Sequence, residues 1–252
     1  GDFDLAMHLG DYFYEYQRGT YPSAKEVLQG RETSLDETVT LAGYRDRFAA
    51  YRSDPDLQRI HQVLPMIAMW DDHEVANDTW KDGAENHDAS EGDWAMRKAA
   101  SEKAYREWLP VSDEYYASYE VGDLATLFRL ETRHLARDKP FELDAVFDAA
   151  APGQAEAALA AFRDGAWRDP KHELMGAAQQ AWLAKGLKAS ARSRKPWQVL
   201  VQQVIMGQLA MPTNLAEGMA ADSPDWLRKR IQSAVTASRQ GLPWNMDAWD
   251  GY

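Results

Sequence analysis

Two patterns of apolar and polar positions run along this chain, and together they predict an α/β protein. Short apolar runs bounded by turn residues are too short for helices and indicate buried strands. Longer segments repeat apolar residues every three or four positions, which is typical of amphipathic helices. The patterns predict strands at 3–9, 65–70 and 197–206, a hairpin of 115–121 and 124–131, and helices at 36–53, 55–63, 91–109, 154–163, 179–190 and 223–240. Strands that alternate with helices are typical of the α/β class.

Two of the predicted strands end in acidic loops. The first is followed by Gly10 and Asp11, and the apolar run 66–70 by four consecutive ionisable residues, Asp71, Asp72, His73 and Glu74. Like charges at such spacing raise each other's pKa, and a multivalent cation removes that cost. Because open α/β sheets bind ligands at the carboxyl ends of their strands, the two loops predict a metal site at one sheet edge.

A polar loop follows the second of these strands. Residues 71–93 are rich in Asp, Glu, Asn and Gly, and a loop of this length inside a compact domain is usually functional or mobile. Apart from Trp80, the segment 78–92 offers few apolar anchors. We therefore expect this segment to have low local stability.

Composition narrows the possible functions. The 252 residues suit one large domain or two small ones, and 45% are hydrophobic, which is enough for a core. The net charge of −12 argues against a nonspecific nucleic-acid-binding surface. Without cysteine, the chain has neither structural disulfides nor cysteine-ligated zinc. No apolar run approaches the roughly 18 residues that a membrane span needs.

Several segments of the chain carry recognisable motifs. The first is His-Leu-Gly-Asp-Tyr-Phe-Tyr-Glu-Tyr at 8–16, and the second is Trp-Asp-Asp-His-Glu-Val-Ala-Asn at 70–77. Shorter segments lie at 130–133, 180–183, 197–204 and 245–252. In this order the segments resemble motifs of PhoD-type alkaline phosphatases, which belong to the calcineurin-like metallophosphoesterase superfamily. The segment 8–16 is similar to the family's Gly-Asp-Tyr-x-Tyr-Glu-Tyr element, and the segment 70–77 is similar to its second metal-loop motif.

The resemblance implies a metallophosphoesterase-like sandwich of two mixed β-sheets flanked by helices, with two metals at the sheet edge. In the family, a first metal motif with a cysteine ligand precedes the Gly-Asp strand, and a final Gly-Asp-x-His motif follows the Asp-Gly-Tyr segment. Neither motif is present among the 252 residues. We therefore expect residues 1–252 to form a single domain that is an incomplete version of this fold, the central segment of a catalytic domain.

The resemblance also assigns roles to individual residues. It implies that Asp11 bridges two metals, that Tyr14 is a phenolate ligand to a ferric ion, and that Asp72 is a further metal ligand. His73 matches the residue that contacts phosphate or protonates the leaving group, and Arg133 is expected to face the phosphate. The implied cofactors are Fe(III) and Ca(II), with other divalent metals as alternatives.

Each assignment has a plainer alternative. A Gly-Asp pair such as Gly10 and Asp11 is common in turns. Tyr14 belongs to an aromatic stretch that could serve packing alone. The pair of Asp72 and His73 could lie in a solvated acidic loop, and Arg133 could be an ordinary surface arginine.

The function predicted on this basis is hydrolysis of phosphomonoesters or phosphodiesters by metal-activated water. The substrate would be a small phosphoester or a phospholipid, and the family implies a periplasmic or secreted protein. The alternative is a catalytically inactive fragment or a noncatalytic binding module, since two ligand motifs are missing and the isolated chain would hydrolyse aryl phosphates poorly. The sequence leaves open the preferred ester, the natural substrate, the metal identity and the oligomeric state.

Overall fold

The computed structural model of the protein describes residues 2–21, 23, 25, 36–220 and 222–252. The chain is mixed α/β, as the sequence predicts. It divides into two compact units, of which the first comprises Gly1–Lys139 with Met175–Gln203 and the second Pro140–Leu174 with Val204–Tyr252. That residues 1–252 act as one domain stays a prediction.

The first unit contains a pair of short parallel strands, β1 (Ala6–His8) and β2 (Met66–Ala68). Ala6 lies opposite Met66 in their register. Both strands lie within the segments that the sequence predicts, although each paired stretch is shorter. Because the strands are parallel, their carboxyl ends meet at one edge, and both acidic loops leave from that edge.

A mixed sheet of three strands completes the β-structure described in the first unit. β3 (Ala117–Val121) and β4 (Ala125–Arg129) are antiparallel, and β5 (Trp197–Val201) lies parallel to β4. The predicted hairpin is therefore confirmed, with Gly122 at a φ of 52° in its turn. The prediction that β5 continues to 206 is wrong, because the ladder with β4 ends at Val201.

Four helices surround these strands, and three of them begin at side-chain caps. They are α1 (Leu41–Arg52), α2 (Pro55–Val63), α3 (Trp94–Trp108) and α6 (Gly176–Arg192). Thr40 caps α1, Asp54 caps α2 and Asp93 caps α3, in each case by accepting backbone N–H bonds. The caps explain why α1 and α3 begin later than their apolar patterns predict, since each cap residue lies outside the helix.

An aromatic core lies directly behind the loop that follows β1. Phe13 is completely buried and meets Phe48 of α1 edge-to-face, with ring centroids 4.8 Å apart. Its neighbour Tyr12 is also buried, and its hydroxyl group bonds to His61 of α2 at 2.8 Å. This packing fixes the backbone on the C-terminal side of Asp11.

The second unit is helical in its described regular structure. It contains α4 (Leu143–Ala149), α5 (Ala155–Asp164) and α7 (Asp225–Arg239). Its core includes Leu159 of α5 and Ala237 of α7, both completely buried. The sequence predicts α5 and α7 but misses α4, a short helix without a side-chain cap. Within the described part of the chain, no helix combines the length and apolar character that crossing a bilayer demands.

A buried hydrogen bond between Glu102 and His134 links α3 to the segment after β4. The Glu102 carboxylate bonds to Nδ1 of His134 at 2.9 Å and accepts the Tyr115 hydroxyl at 2.8 Å. The His134 ring stacks on Trp70, with centroids 4.5 Å apart. Burial by itself would raise the pKa of Glu102, but its hydrogen-bonding partners outweigh burial and hold the pKa at about 2.

This pair makes stability depend on pH. A carboxylate with a lowered pKa in the folded state stabilises the protein fully above its ordinary pKa of 4.5 and loses that effect as pH falls towards 2. We expect Glu102→Gln to cost on the order of 3 kcal/mol at pH 6, and the difference from wild type to shrink between pH 5 and 2. Urea unfolding of both proteins at several pH values measures this difference in the free energy of unfolding. A difference that stays constant with pH would contradict this assignment.

Candidate metal centre

Three predicted site residues converge at the carboxyl edge of β1 and β2. Asp11 follows β1, and Asp72 and His73 follow β2. One ligand atom from each side chain lies within 4.8 Å of the other two. Among the described residues, this is the group of carboxylates and imidazoles that could hold a metal ion. The structure thus brings together side chains that lie about 60 positions apart in the sequence.

The close approach of the two loops depends on Gly10. Its φ of 101° is one that residues with a side chain rarely adopt, and a Cβ atom built there would lie 2.5 Å from Cβ of Asp71. Asp11 continues the turn with a φ of 54°, in the left-handed region that aspartate tolerates better than most residues. The Gly-Asp sequence is therefore a turn, and this turn aims Asp11 at the second loop.

The hydrogen bonds of the two aspartates differ. Asp72 accepts the backbone N–H of His73 on Oδ1 at 3.0 Å and that of Asp78 on Oδ2 at 2.6 Å. Asp11 accepts the Tyr14 hydroxyl on Oδ2 at 3.1 Å, whereas its buried Oδ1 has no hydrogen-bond partner. A buried carboxylate oxygen without a donor is costly, and a cation would satisfy it. The oxygen-rich donor set with one imidazole therefore fits a metal ion.

The charges of the cluster also favour a cation. Burial and the neighbouring charge of Asp72 raise the pKa of Asp11. Burial and the charge of Asp11 raise the pKa of Tyr14 well above its usual value. Burial is the larger cause of both pKa shifts and repulsion between negative charges adds to it, and a bound metal would oppose both effects by stabilising the ionised forms.

His73 is held by a carboxylate that sequence reasoning did not single out. Oε2 of the fully buried Glu15 lies 2.7 Å from Nδ1 of His73. Its Oε1 accepts the backbone N–H of Asn77 and the side-chain amide of Asn86. Burial alone would lower the pKa of His73, but this bond and the nearby carboxylates raise it to about 9. Because Nδ1 is engaged, Nε2 is the nitrogen that remains for a substrate.

Arg133 is not the ordinary surface arginine of the plainer alternative. Only 2% of it is exposed, and its Nε donates to Oδ1 of Asp71 at 2.6 Å. The Glu131 carboxylate accepts the backbone N–H groups of Arg133 and His134 at 2.7 Å each. The charge of Arg133 opposes the rise in the pKa of Asp11, so Arg133 acts on the candidate metal-binding group while remaining outside it.

A second arginine, Arg47 of α1, fixes the loop that carries Tyr14. Its guanidinium is 2% exposed and donates to the backbone carbonyls of Tyr14, Glu15 and Tyr16 at 2.8, 3.3 and 3.0 Å. A further bond of 2.7 Å reaches the carbonyl of Asp36. One side chain therefore satisfies consecutive carbonyls that form no regular structure, which places Tyr14 and Glu15 at the site.

We expect Arg47→Met to lower the free energy of unfolding by about 3 kcal/mol, because the substitution leaves several buried carbonyls without donors. Arg45→Met is a matched control from the same helix, since Arg45 forms an exposed pair with Glu107 at 2.7 Å. That control should cost at most about 1 kcal/mol. Urea unfolding of both variants tests the difference, and equal losses would show that the carbonyl contacts add nothing.

The segment 78–92 has more anchors than the sequence indicates, and they are polar. The backbones of Trp80 and Gly83 pair with each other. The Asn86 amide bonds to Glu15 and Glu37 at 2.9 Å each. Apolar content does not reveal these bonds to distant residues, and the low local stability expected for the segment stays a prediction.

Comparisons with known proteins show which family the chain resembles. The family model of PhoD-like phosphatases matches residues 1–252. Alkaline phosphatase D of Bacillus subtilis (strain 168) is 31% identical over 231 residues, which cover 88% of this chain and 36% of that protein. A solved structure of PhoD matches with a TM-score of 0.70 and 28% identity, and covers 100% of this chain and 41% of that one. The chain thus spans less than half the length of these relatives.

Proposed function

This chain belongs to the PhoD-like phosphatase family, and from that premise we propose that it forms the central part of a metal-dependent phosphoesterase site. The reaction would be hydrolysis of phosphomonoesters or phosphodiesters, with a small phosphoester or a phospholipid as substrate. The observation that carries the proposal is the buried Oδ1 of Asp11, which has no hydrogen-bond partner and belongs to the group formed with Asp72 and His73.

We propose Asp11, Tyr14 and Asp72 as metal ligands. The Tyr14 hydroxyl already lies beside Asp11, so loss of its proton would leave two anionic oxygens side by side. The family resemblance suggests Fe(III) and Ca(II), and the oxygen donors also suit other divalent ions. When bound, such metals neutralise phosphate charge and lower the pKa of water.

His73 and Arg133 are the proposed catalytic residues. Glu15 orients the His73 ring through Nδ1, so that Nε2 can donate a proton to the leaving oxygen. Asp71 holds the Arg133 guanidinium, whose charge would stabilise the phosphate oxygens that gain negative charge during the reaction. The residues around the metal thus supply a proton and a fixed positive charge.

The proposal extends to other features of the family. These are a sandwich of two mixed β-sheets flanked by helices, a single catalytic domain of which residues 1–252 are the central segment, and a periplasmic or secreted location. The paired strands β1 and β2 and the mixed sheet of β3 to β5 would each contribute to the sandwich.

Metal analysis and turnover test the proposed function together. We expect the parent protein to hold near-stoichiometric iron or calcium and to hydrolyse an aryl phosphate. We expect the 252-residue chain alone to hydrolyse the same ester weakly. A parent protein with neither metal nor turnover would contradict the proposal. That result would favour the second candidate, a noncatalytic binding module or an inactive fragment.

A further inference from the structure

Glu74 makes an unusual pair of contacts between the two loops of the site. Its carboxylate is 1% exposed, and Oε1 accepts the backbone N–H of Tyr12. Its Oε2 accepts the backbone N–H of Asp71 at 2.8 Å. Tyr12 immediately follows the proposed ligand Asp11, and Asp71 immediately precedes Asp72. One side chain therefore joins the backbones of both metal-binding loops.

This contact begins where the strand pairing ends. The ladder between β1 and β2 finishes at His8 and Ala68, with one further backbone bond from Met69 to His8 at 3.2 Å. Beyond that point the two loops carry the proposed ligands Asp11 and Asp72, and tight binding of a common ion would require their separation to be held to within about 0.5 Å. Glu74 lies where it can hold this separation.

Its contacts distinguish Glu74 from a metal ligand. Both oxygens already accept N–H groups, and Glu74 is absent from the group formed by Asp11, Asp72 and His73. Burying a carboxylate costs free energy, and packing alone does not offset that cost. A fixed distance between two ligands would strengthen metal binding, because the ligands then need not be ordered when the ion binds.

We infer that Glu74 is a positioning residue that sets the separation of Asp11 and Asp72 and thereby the metal affinity of the site. The inference rests on the proposed function, since it takes these two aspartates as ligands. Glu74 touches neither metal nor substrate in this role, and acts through the backbones of the two loops.

The test compares two variants of Glu74 with a matched control. Glu74→Asp keeps both accepting oxygens but shortens the connection by one methylene group, and Glu74→Gln keeps the length but replaces one accepting oxygen with an NH₂ group, which donates. Glu102→Asp makes the same deletion at another buried carboxylate, whose partners are His134, Tyr115 and Arg106. The probe is Mn²⁺ alone, titrated into the metal-free chain and followed by its electron paramagnetic resonance signal.

We expect Glu74→Asp and Glu74→Gln each to raise the Kd for Mn²⁺ at least tenfold, and Glu102→Asp to leave it within twofold of wild type. A role through charge alone would leave Glu74→Asp like wild type, and that outcome overturns the inference. An equal loss of affinity in the control overturns it too, because general destabilisation would then explain the effect.

A second measurement decides the matter if the variants fail to fold or if the wild type binds no Mn²⁺. Absence of Mn²⁺ binding in the wild-type chain would contradict the assignment of Asp11 and Asp72 as ligands that suffice within these 252 residues, and not the contact that Glu74 makes between the two loops. Hydrogen exchange of the Tyr12 and Asp71 amides in the wild-type chain then tests whether Glu74 joins the two loops. We expect both amides to exchange slowly and to open together, and fast or independent exchange would overturn the inference.

Discussion

Replacing His73 with alanine is expected to lower kcat of the intact enzyme by about 10²–10⁴-fold, the usual contribution of a general acid. This loss corresponds to roughly 3–5 kcal/mol of barrier. KM should change less, because the contact strengthens as the leaving oxygen gains charge. The metals should remain bound, since the carboxylates of Asp11 and Asp72 and the phenol of Tyr14 stay in place. Kinetics and metal analysis of the same preparation measure both effects.

Leaving-group dependence provides the internal control for this variant. A nitrophenyl ester has a good leaving group that needs no proton, so the loss in His73→Ala should be much smaller for it than for an alkyl ester. Equal slowing of both esters would remove the proposed role as an acid. Loss of metal from His73→Ala would instead make His73 a ligand, a role that its position beside Asp11 and Asp72 also permits.

The location of the site follows from the sequence because parallel strands end at a common edge. The two acidic strand ends, at Asp11 and Asp72, could be placed together before any coordinates. What could not be foreseen is that four consecutive ionisable residues have separate tasks. Each task depends on a partner elsewhere in the chain, and the spacing of residues in the run does not reveal that partner.

The structure separates these tasks by their contacts. Asp71 pairs with Arg133, and Asp72 accepts two backbone N–H groups as a member of the candidate metal-binding group. His73 bonds to Glu15, and Glu74 joins two backbones. The polarity of the run predicts a site, but only the fold shows that the carboxylates of the run have partners and that the oxygen without one is Oδ1 of Asp11, in the other loop.

The sequence did not reveal the residues that hold the site residues in place without belonging to the candidate metal-binding group. Arg47 lies on a helix with an ordinary pattern, and its targets are backbone carbonyls, which the sequence does not mark. Glu15 had a usable signal, since it lies within the motif at 8–16 and four residues after Asp11. The end of β5 and the presence of α4 were missed because local apolar content does not determine where strand pairing stops or where a short helix forms.

Replacing Asp11 with asparagine is expected to abolish metal binding and reduce turnover to background. Asparagine suits this test because it tolerates the left-handed backbone of Asp11, whereas alanine would add strain. The variant loses the buried anionic oxygen that the cation would satisfy. It also removes the repulsion with Asp72 that raises the pKa of Asp11, so the metal-free variant should be at least as stable as the metal-free wild type.

These two effects have opposite signs, and thermal unfolding separates them. A metal at 100 times its Kd stabilises the wild type by about 2.7 kcal/mol, and this gain should vanish in Asp11→Asn. Asp138→Asn is the control, since Asp138 pairs with Lys81, and it should keep the metal-dependent rise in Tm. An Asp11→Asn protein that is still stabilised by metal would contradict the bridging role. One that is destabilised without metal would show that Asp11 serves the turn rather than a cation.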